Sequence, residues 1–141
     1  MRIYLDSMVW IYLLEGNAQF GIAAQELLKK IRAGKHTLLT SNFLLAEVLV
    51  MPVRRNDVFT IASYRRLLLA DAAVEIMPFT AETAMHFAEL RAIHRTAPAD
   101  SIHLALAASA KADVFITVDS QLTKLSVPGI GRIVDLTYTL K

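Results

Sequence analysis

Arg2-Ile3-Tyr4-Leu5-Asp6 runs directly into Ser7-Met8-Val9-Trp10-Ile11-Tyr12-Leu13-Leu14-Glu15, and the change of pattern at Asp6 decides how the chain is read. The first five residues are a short run rich in strand formers. The next nine carry Met8, Trp10 or Ile11, and Leu14 at helical spacing until Gly16-Asn17 breaks the pattern. A strand therefore passes into a helix across a single acidic residue.

The alternation repeats along the chain. Ala18 to Arg32 holds Phe20, Ile22, Ala23, Leu27, Leu28 and Ile31 on one side, with Lys29, Lys30 and Arg32 in the last turn, where the helix dipole favours cations, and Gly34 after it. His36 to Thr40 reads as a strand, Asn42 to Met51 as a buried helix stopped by Pro52, and Asp57 to Leu69 as an amphipathic helix. Ala73 to Met77 gives a third strand. Thr80 caps a helix through Ala92, and Pro98 opens another that runs to about Lys111. Val114 to Thr117 and Arg132 to Val134 are two more short strands. Strands alternating with helices over short connections imply right-handed βαβ crossovers. The expected fold is α/β, a three-layer α/β/α sandwich around a central, mostly parallel sheet of about five short strands, forming one domain over residues 1–141.

The 141 residues suffice for a full core, and an apolar fraction of 55 % with mean hydropathy +0.42 leaves surplus apolar surface for a partner. No uncharged apolar run reaches the roughly 18 residues of a membrane helix, and Ile3 to Leu14 is interrupted by Asp6 without a cleavage site after it. The expectation is a soluble, untargeted, cytoplasmic protein. Cysteine is absent, so a metal would have to use oxygen or imidazole. A net charge of +2 and a pI near 9.0 are compatible with a polyanionic partner but far from a dedicated basic stripe.

Four carboxylates carry the chemistry. Asp6, Glu47, Asp100 and Asp119 each stand at the edge of an apolar segment or inside one, where an unpaired charge costs free energy that a bound cation would offset. Glu47 is the clearest, because Phe43 to Met51 is otherwise wholly apolar and no face through it is polar. Each has a structural alternative. Glu47 can pair with an arginine, Asp100 can serve a helix dipole, Asp119 can cap a short helix through Lys124, Asp6 can serve a turn, and Ser7 can cap the first helix. Against these stands their joint placement. In open parallel sheets ligands bind beyond the carboxyl ends of the strands, where Asp6 and Asp119 lie, and Asp100 is in the first turn of a helix. His103, three residues after Asp100, can reach such a site or pack in the core; His36, His86 and His94 lack ligand spacing. Trp10, Tyr12 and Phe20 can stack bases or serve a core or interface.

In this order and spacing the motifs resemble the PIN-domain nucleases, and among them the VapC-like ribonuclease toxins of type II toxin-antitoxin modules. The resemblance rests on Ile3-Tyr4-Leu5-Asp6-Ser7, on Thr40-Ser41 followed by Glu47, on Pro98-Ala99-Asp100-Ser101-Ile102-His103-Leu104-Ala105, and on Ala112-Asp113-Val114-Phe115-Ile116-Thr117-Val118-Asp119. It implies a PIN-like fold over nearly the whole chain and a catalytic, metal-binding quartet of Asp6, Glu47, Asp100 and Asp119 for one or two Mg²⁺ or Mn²⁺ ions. Ser7 and Thr117 match hydroxyl positions beside that site. His103 stands where other residues are frequent.

The implied activity is metal-dependent endoribonuclease cleavage of RNA by an activated water, leaving a 5′-phosphate and a 3′-hydroxyl. An acidic site needs cations around it to hold a polyanion, and Arg91, Arg95, Arg54, Arg55 and Lys124 are candidates. The resemblance further implies a small antitoxin crossing an apolar groove between the early helices, and a homodimer. The alternatives are a PIN-fold nuclease of RNA processing outside such a pair and a catalytically silent PIN-fold binding module. A receiver or haloacid-phosphatase domain shares the fold class but wants a second acid near Asp6, where Ser7 and Met8 stand.

Overall fold

A computed structural model describes residues 1–140. Its centre is β1 (Arg2–Leu5), followed by α1 (Ser7–Glu15), α2 (Gly21–Ala33), β2 (Thr37–Thr40), α3 (Asn42–Arg54), α4 (Val58–Leu69), β3 (Val74–Ile76), α5 (Ala81–Glu89), α6 (Pro98–Ser109), β4 (Val114–Ile116) and β5 (Arg132–Val134). The strands form one five-stranded sheet in the order β3-β2-β1-β4-β5, every neighbouring pair parallel. The order reverses between β1 and β4, because the chain first builds outward through β2 and β3 and then returns to the other side of β1. Right-handed crossovers send α1 to α4 over one face and α5 and α6 over the other. The packing agrees, with α1 against α2, α3 and α4, α3 against α4, and α5 against α6.

The central strands are buried along nearly their whole length, as expected of a sheet covered on both faces. Ile3, Tyr4, Leu5, Leu38, Leu39, Phe115 and Ile116 are almost fully excluded from solvent, with Trp10, Leu44 and Leu104 brought in by the helices. Tyr12 and Phe20 stack on each other, ring centroids 5.4 Å apart, so these aromatics serve packing. No helix among the described residues is long and apolar enough to cross a membrane.

Four helix ends differ from the sequence expectation by two residues or more, each for a local reason. The second helix begins at Gly21 rather than Ala18, because the Asn17 side chain accepts the backbone N–H groups of Gln19 and Phe20 and holds a turn there. Pro52 does not stop α3, which continues to Arg54. Its ring is buried, and the turn closes beyond it through Arg55 N–H to Met51 O and Asp57 N–H to Pro52 O. The helix from Thr80 leaves α geometry after Glu89, and Leu90–His94 forms a π turn closed by left-handed Arg95. Thr96, buried behind it, donates its hydroxyl to Leu90 O. Finally, α6 ends at Ser109, and Lys111 turns the chain with φ 51°.

Candidate acidic site

The site is assembled at the carboxyl ends of β1 and β4, on either side of the point where strand order reverses. The register pairs Leu5 with Ile116, so the next positions, Asp6 and Thr117, fall side by side just beyond the ladder. Asp6 N–H still donates to Ile116 O at 2.9 Å. The Asp6 carboxylate is buried and has two partners: Oδ1 accepts from Ser7 N–H at 2.8 Å, and Oδ2 accepts from the Thr117 hydroxyl at 2.8 Å. Asp6, not Ser7, is the N-cap of α1, and Ser7 is the first helical residue. Thr117 is fully buried, and its oxygen also accepts from Asp119 N–H at 3.0 Å. One hydroxyl thus joins two acidic positions 113 residues apart in sequence, counting from Asp6 to Asp119. Asp119 itself is exposed, and its Oδ1 accepts from Gln121 N–H at 2.7 Å.

Asp100 arrives from the other side, at the third residue of α6. Pro98 holds the first helical position as expected, and Ala97 offers no side-chain cap, so the start of the helix presents uncapped amides. Buried Ser101 anchors that turn by donating to Ala97 O at 2.9 Å and by meeting the Thr96 hydroxyl at 2.5 Å. The Asp100 carboxyl is pushed above the usual carboxylate range, first by burial and then by the nearby charges of Asp6 and Asp119, with Glu47 adding to it and His103 opposing. That pattern places Asp6, Asp119 and Glu47 within electrostatic reach of Asp100.

Glu47 reaches the rim from α3, partly buried as its apolar surroundings predict. Ser41 caps that helix, its hydroxyl accepting from Leu44 N–H at 3.0 Å. The partner of Glu47 is His103, whose Nε2 contacts Glu47 Oε2. On the other side of the ring, Nδ1 lies 2.9 Å from the Tyr4 hydroxyl. His103 is both buried in the core and joined to the site, two roles that the sequence set against each other. Burial drives the Tyr4 phenol strongly upward, so it stays protonated. Sequence reading gave Tyr4 and Ser101 no part in the site. Ser101 stands next to Asp100, but nothing in the spacing of Tyr4 marks it.

The basic candidates divide. Arg91 donates to Thr96 O and braces the turn before α6. Arg55 is paired with Glu15 at 2.5 Å, where Glu15 also accepts the Tyr64 hydroxyl. Among the described residues Lys124 reaches only Gln121, at 3.2 Å. Arg54 and Arg95 are exposed and make no side-chain hydrogen bond to the described residues.

Four carboxylates from four elements converge, and among the described residues none is paired with a lysine or arginine. Among the same residues no three acidic or imidazole side chains already surround one point as a ligand set. The donor chemistry nevertheless fits a hard divalent cation: carboxylate oxygens only, with mutual repulsion that such an ion relieves.

The PIN domain family matches residues 3–128 of the chain. No curated protein matches it. Among solved structures, the fold is similar to VapBC2 of Rickettsia felis bound to a promoter DNA fragment, at 17% identity and TM-score 0.74, covering 96% of this chain and 98% of that one. It is also similar to VapC20 of Mycobacterium tuberculosis, described as a toxin cleaving the sarcin-ricin loop, at 18% identity and TM-score 0.70 over 90% and 97% of the two chains. A DNA-bound VapBC from Salmonella typhimurium gives 18% identity and TM-score 0.68 over 96% and 98%. With the family matched over most of its length and the parallel sheet of VapBC chains reproduced in its fold, this chain belongs to the PIN domain family.

Proposed function

We propose that the protein is a metal-dependent endoribonuclease and the toxin of a VapBC-type pair. The observation that carries this reading is the convergence of Asp6, Glu47, Asp100 and Asp119 without any lysine or arginine paired to them among the described residues, so that Asp100 feels the charge of the other three. Asp6, Asp100, Asp119 and Glu47 would hold Mg²⁺ or Mn²⁺, which supplies Lewis acidity for phosphodiester hydrolysis. The chain's own part is positioning. Thr117 keeps Asp6 and Asp119 in register, the capped start of α3 sets Glu47, and the start of α6 offers its positive dipole end to a charged substrate. Ser7 borders the same rim.

RNA is held by cations outside the acidic cluster. Arg95 and Arg54 are better placed for that than Arg91 and Arg55, whose guanidiniums are engaged within the fold. Lys124 remains a weaker candidate. An antitoxin fits the cleft of about 470 Å³ between α1, α2 and α4, where Leu13, Leu14, Leu28 and Leu67 form an apolar floor beside Arg32 and Arg66. An amphipathic segment with acidic residues on its polar edge is the complementary shape. Exposed Val50, Val53, Val58 and Phe59 on α3 and α4 give apolar surface for a second copy, and a homodimer is the expected state.

The test is incubation of the antitoxin-free protein with total RNA and Mg²⁺ or Mn²⁺, beside an EDTA control and Asp6→Asn, with the cleaved ends mapped. Discrete cuts bearing 5′-phosphates that require both metal and Asp6 are expected. Absence of metal-dependent cleavage across several RNA sources would overturn the reading in favour of a silent binding module.

A further inference from the structure

We infer that His103, backed by Tyr4, is a positioning residue that aims the Glu47 carboxylate at the metal, an inference that rests on the nuclease reading above. Glu47 stands on a helix whose other neighbouring residues are apolar, and His103 is its one hydrogen-bonding partner among the described residues. The contact occupies Oε2 and leaves Oε1 free for a cation. A carboxylate can only accept, so Nε2 carries the proton and donates. The other ring nitrogen, Nδ1, lies 2.9 Å from the Tyr4 hydroxyl, which can accept from it or donate to it. Tyr4, His103 and Glu47 thus form one unbroken hydrogen-bonded chain.

The ring is also fixed sterically. It lies between Tyr4 and Phe43, centroids 5.8 and 5.3 Å away and tilted by 56° and 52°, and Tyr4 is stacked on Phe115 at 5.4 Å. A ring held by two aromatic neighbours and bonded at both nitrogens has no second rotamer of similar energy. β1, α3 and α6 are therefore joined at one imidazole, and the direction of Glu47 is set by the core and not by solvent. Ligating carboxylates held in this way by buried donors bind metal more tightly, and loss of the donor costs about 10- to 100-fold in affinity.

Two substitutions separate the halves of the contact. In His103→Gln the terminal amide reaches as far as Nε2 and can still donate to Glu47. In His103→Asn the amide sits near the place of Nδ1 and falls short. Mn²⁺ affinity of the whole protein, measured by calorimetry, is expected to fall about 10- to 100-fold in His103→Asn and to recover most of that loss in His103→Gln. Glu47→Gln combined with His103→Asn is expected to bind no more weakly than Glu47→Gln alone, since the histidine acts through that carboxylate. Thermal unfolding without metal shows whether each variant is folded. Should the His103 variants fail to fold, Tyr4→Phe, which preserves the ring stack, takes their place, with a measurable loss approaching about tenfold expected. If wild type binds Mn²⁺ and folded His103→Asn binds equally well, or the losses of the double variant multiply, the inference fails and the nuclease reading stands. Equal binding by folded Tyr4→Phe, where it stands in for them, has the same meaning. If wild type binds no Mn²⁺ or Mg²⁺ and cleaves no RNA, the nuclease reading fails and takes the inference with it.

Discussion

On the strand side of the acidic rim, Asp6 and Asp119 are tied together by the hydroxyl of Thr117; on the helix side, Glu47 is reached from α6 by His103. The strand side follows from sheet register. Once Leu5 pairs with Ile116, the neighbours Asp6 and Thr117 have no other place to be. The helix side depends on how α3 and α6 are rotated about their axes and on a buried aromatic that locks the imidazole between them. Backbone pairing sets one half of the site, and side-chain packing sets the other. Substitutions should accordingly act through different quantities on the two sides.

The largest effect is expected where both partners of a carboxylate survive but its charge does not. Asp6→Asn keeps an acceptor for Ser7 N–H or Thr117, so the fold should persist while cleavage falls by about 10²- to 10³-fold or more, the scale for removing one preorganised electrostatic group from a site. Initial rates at saturating Mn²⁺, beside a circular-dichroism melt, measure both. A loss of activity matched by unfolding would place Asp6 among structural caps and dissolve the contrast between the two sides.

Thr117→Val sharpens the same contrast. The methyl replaces the hydroxyl at nearly equal volume, but Asp6 Oδ2 loses its donor in a buried place and Asp119 N–H its acceptor in a partly buried one. Leaving such groups unpaired costs roughly 1–3 kcal/mol. Urea unfolding of the metal-free protein should show that loss, since the contact is made without any ion. Unchanged stability would mean that solvent replaces the hydroxyl and that register alone holds the strand side.

How far the sequence could be read follows from the same division. The five strands, their parallel arrangement and the positions of Asp6, Asp100 and Asp119 at one rim come from local patterns: short apolar runs, Thr80 as a cap with its hydroxyl on Thr83 N–H, Pro98 at the first turn of a helix. Glu47 was conspicuous because nothing around it is polar. Its partner was not, since 56 residues separate it from His103 and no periodicity links them. The same holds for Tyr4, which alternation in β1 marks only as a core residue. Helix ends shifted wherever a side chain far from the apolar stripe took over backbone groups, as Asn17 does before α2 and Thr96 after the π turn. Arg91 and Arg55 stand out as candidates for phosphate because charge is visible in sequence, whereas their bonds to Thr96 O and Glu15 are not.

Asp100 provides a smaller test on which both sides act. Its carboxyl is raised by burial and by the charges of Asp6, Asp119 and Glu47, so in the folded protein the ionised form is disfavoured relative to the unfolded chain. The sign is fixed: the stability associated with this group is present below its unfolded pKa and is lost as pH rises through the higher folded value. Asp100→Asn should therefore raise the melting temperature of the metal-free protein at pH 7 while abolishing cleavage. The gain should vanish at a pH below 3.8, the ordinary aspartate value, where wild type is also neutral. Saturating Mn²⁺ should reverse the order at pH 7, because the ion stabilises only the chain that binds it. A wild type that is the more stable of the two without metal would mean that the four charges do not repel one another in the folded state.

The smallest expected effect concerns the cations outside the rim. Arg95 is exposed, held in the left-handed region at φ 52° and free of side-chain partners among the described residues, whereas Arg91 four residues earlier spends its guanidinium on Thr96 O. Arg95→Ala should weaken RNA binding only a few-fold and reduce the slope of log affinity against log salt by about one, the signature of one lost phosphate contact. Arg91→Ala should leave that slope unchanged and instead lower the melting temperature, since the turn that presents Asp100 loses a brace. If Arg91→Ala changes the salt slope and Arg95→Ala does not, the Arg91 guanidinium gives up Thr96 O to meet a phosphate, and RNA crosses the π turn itself rather than the left-handed residue that ends it, which brings the substrate onto the turn that presents Asp100.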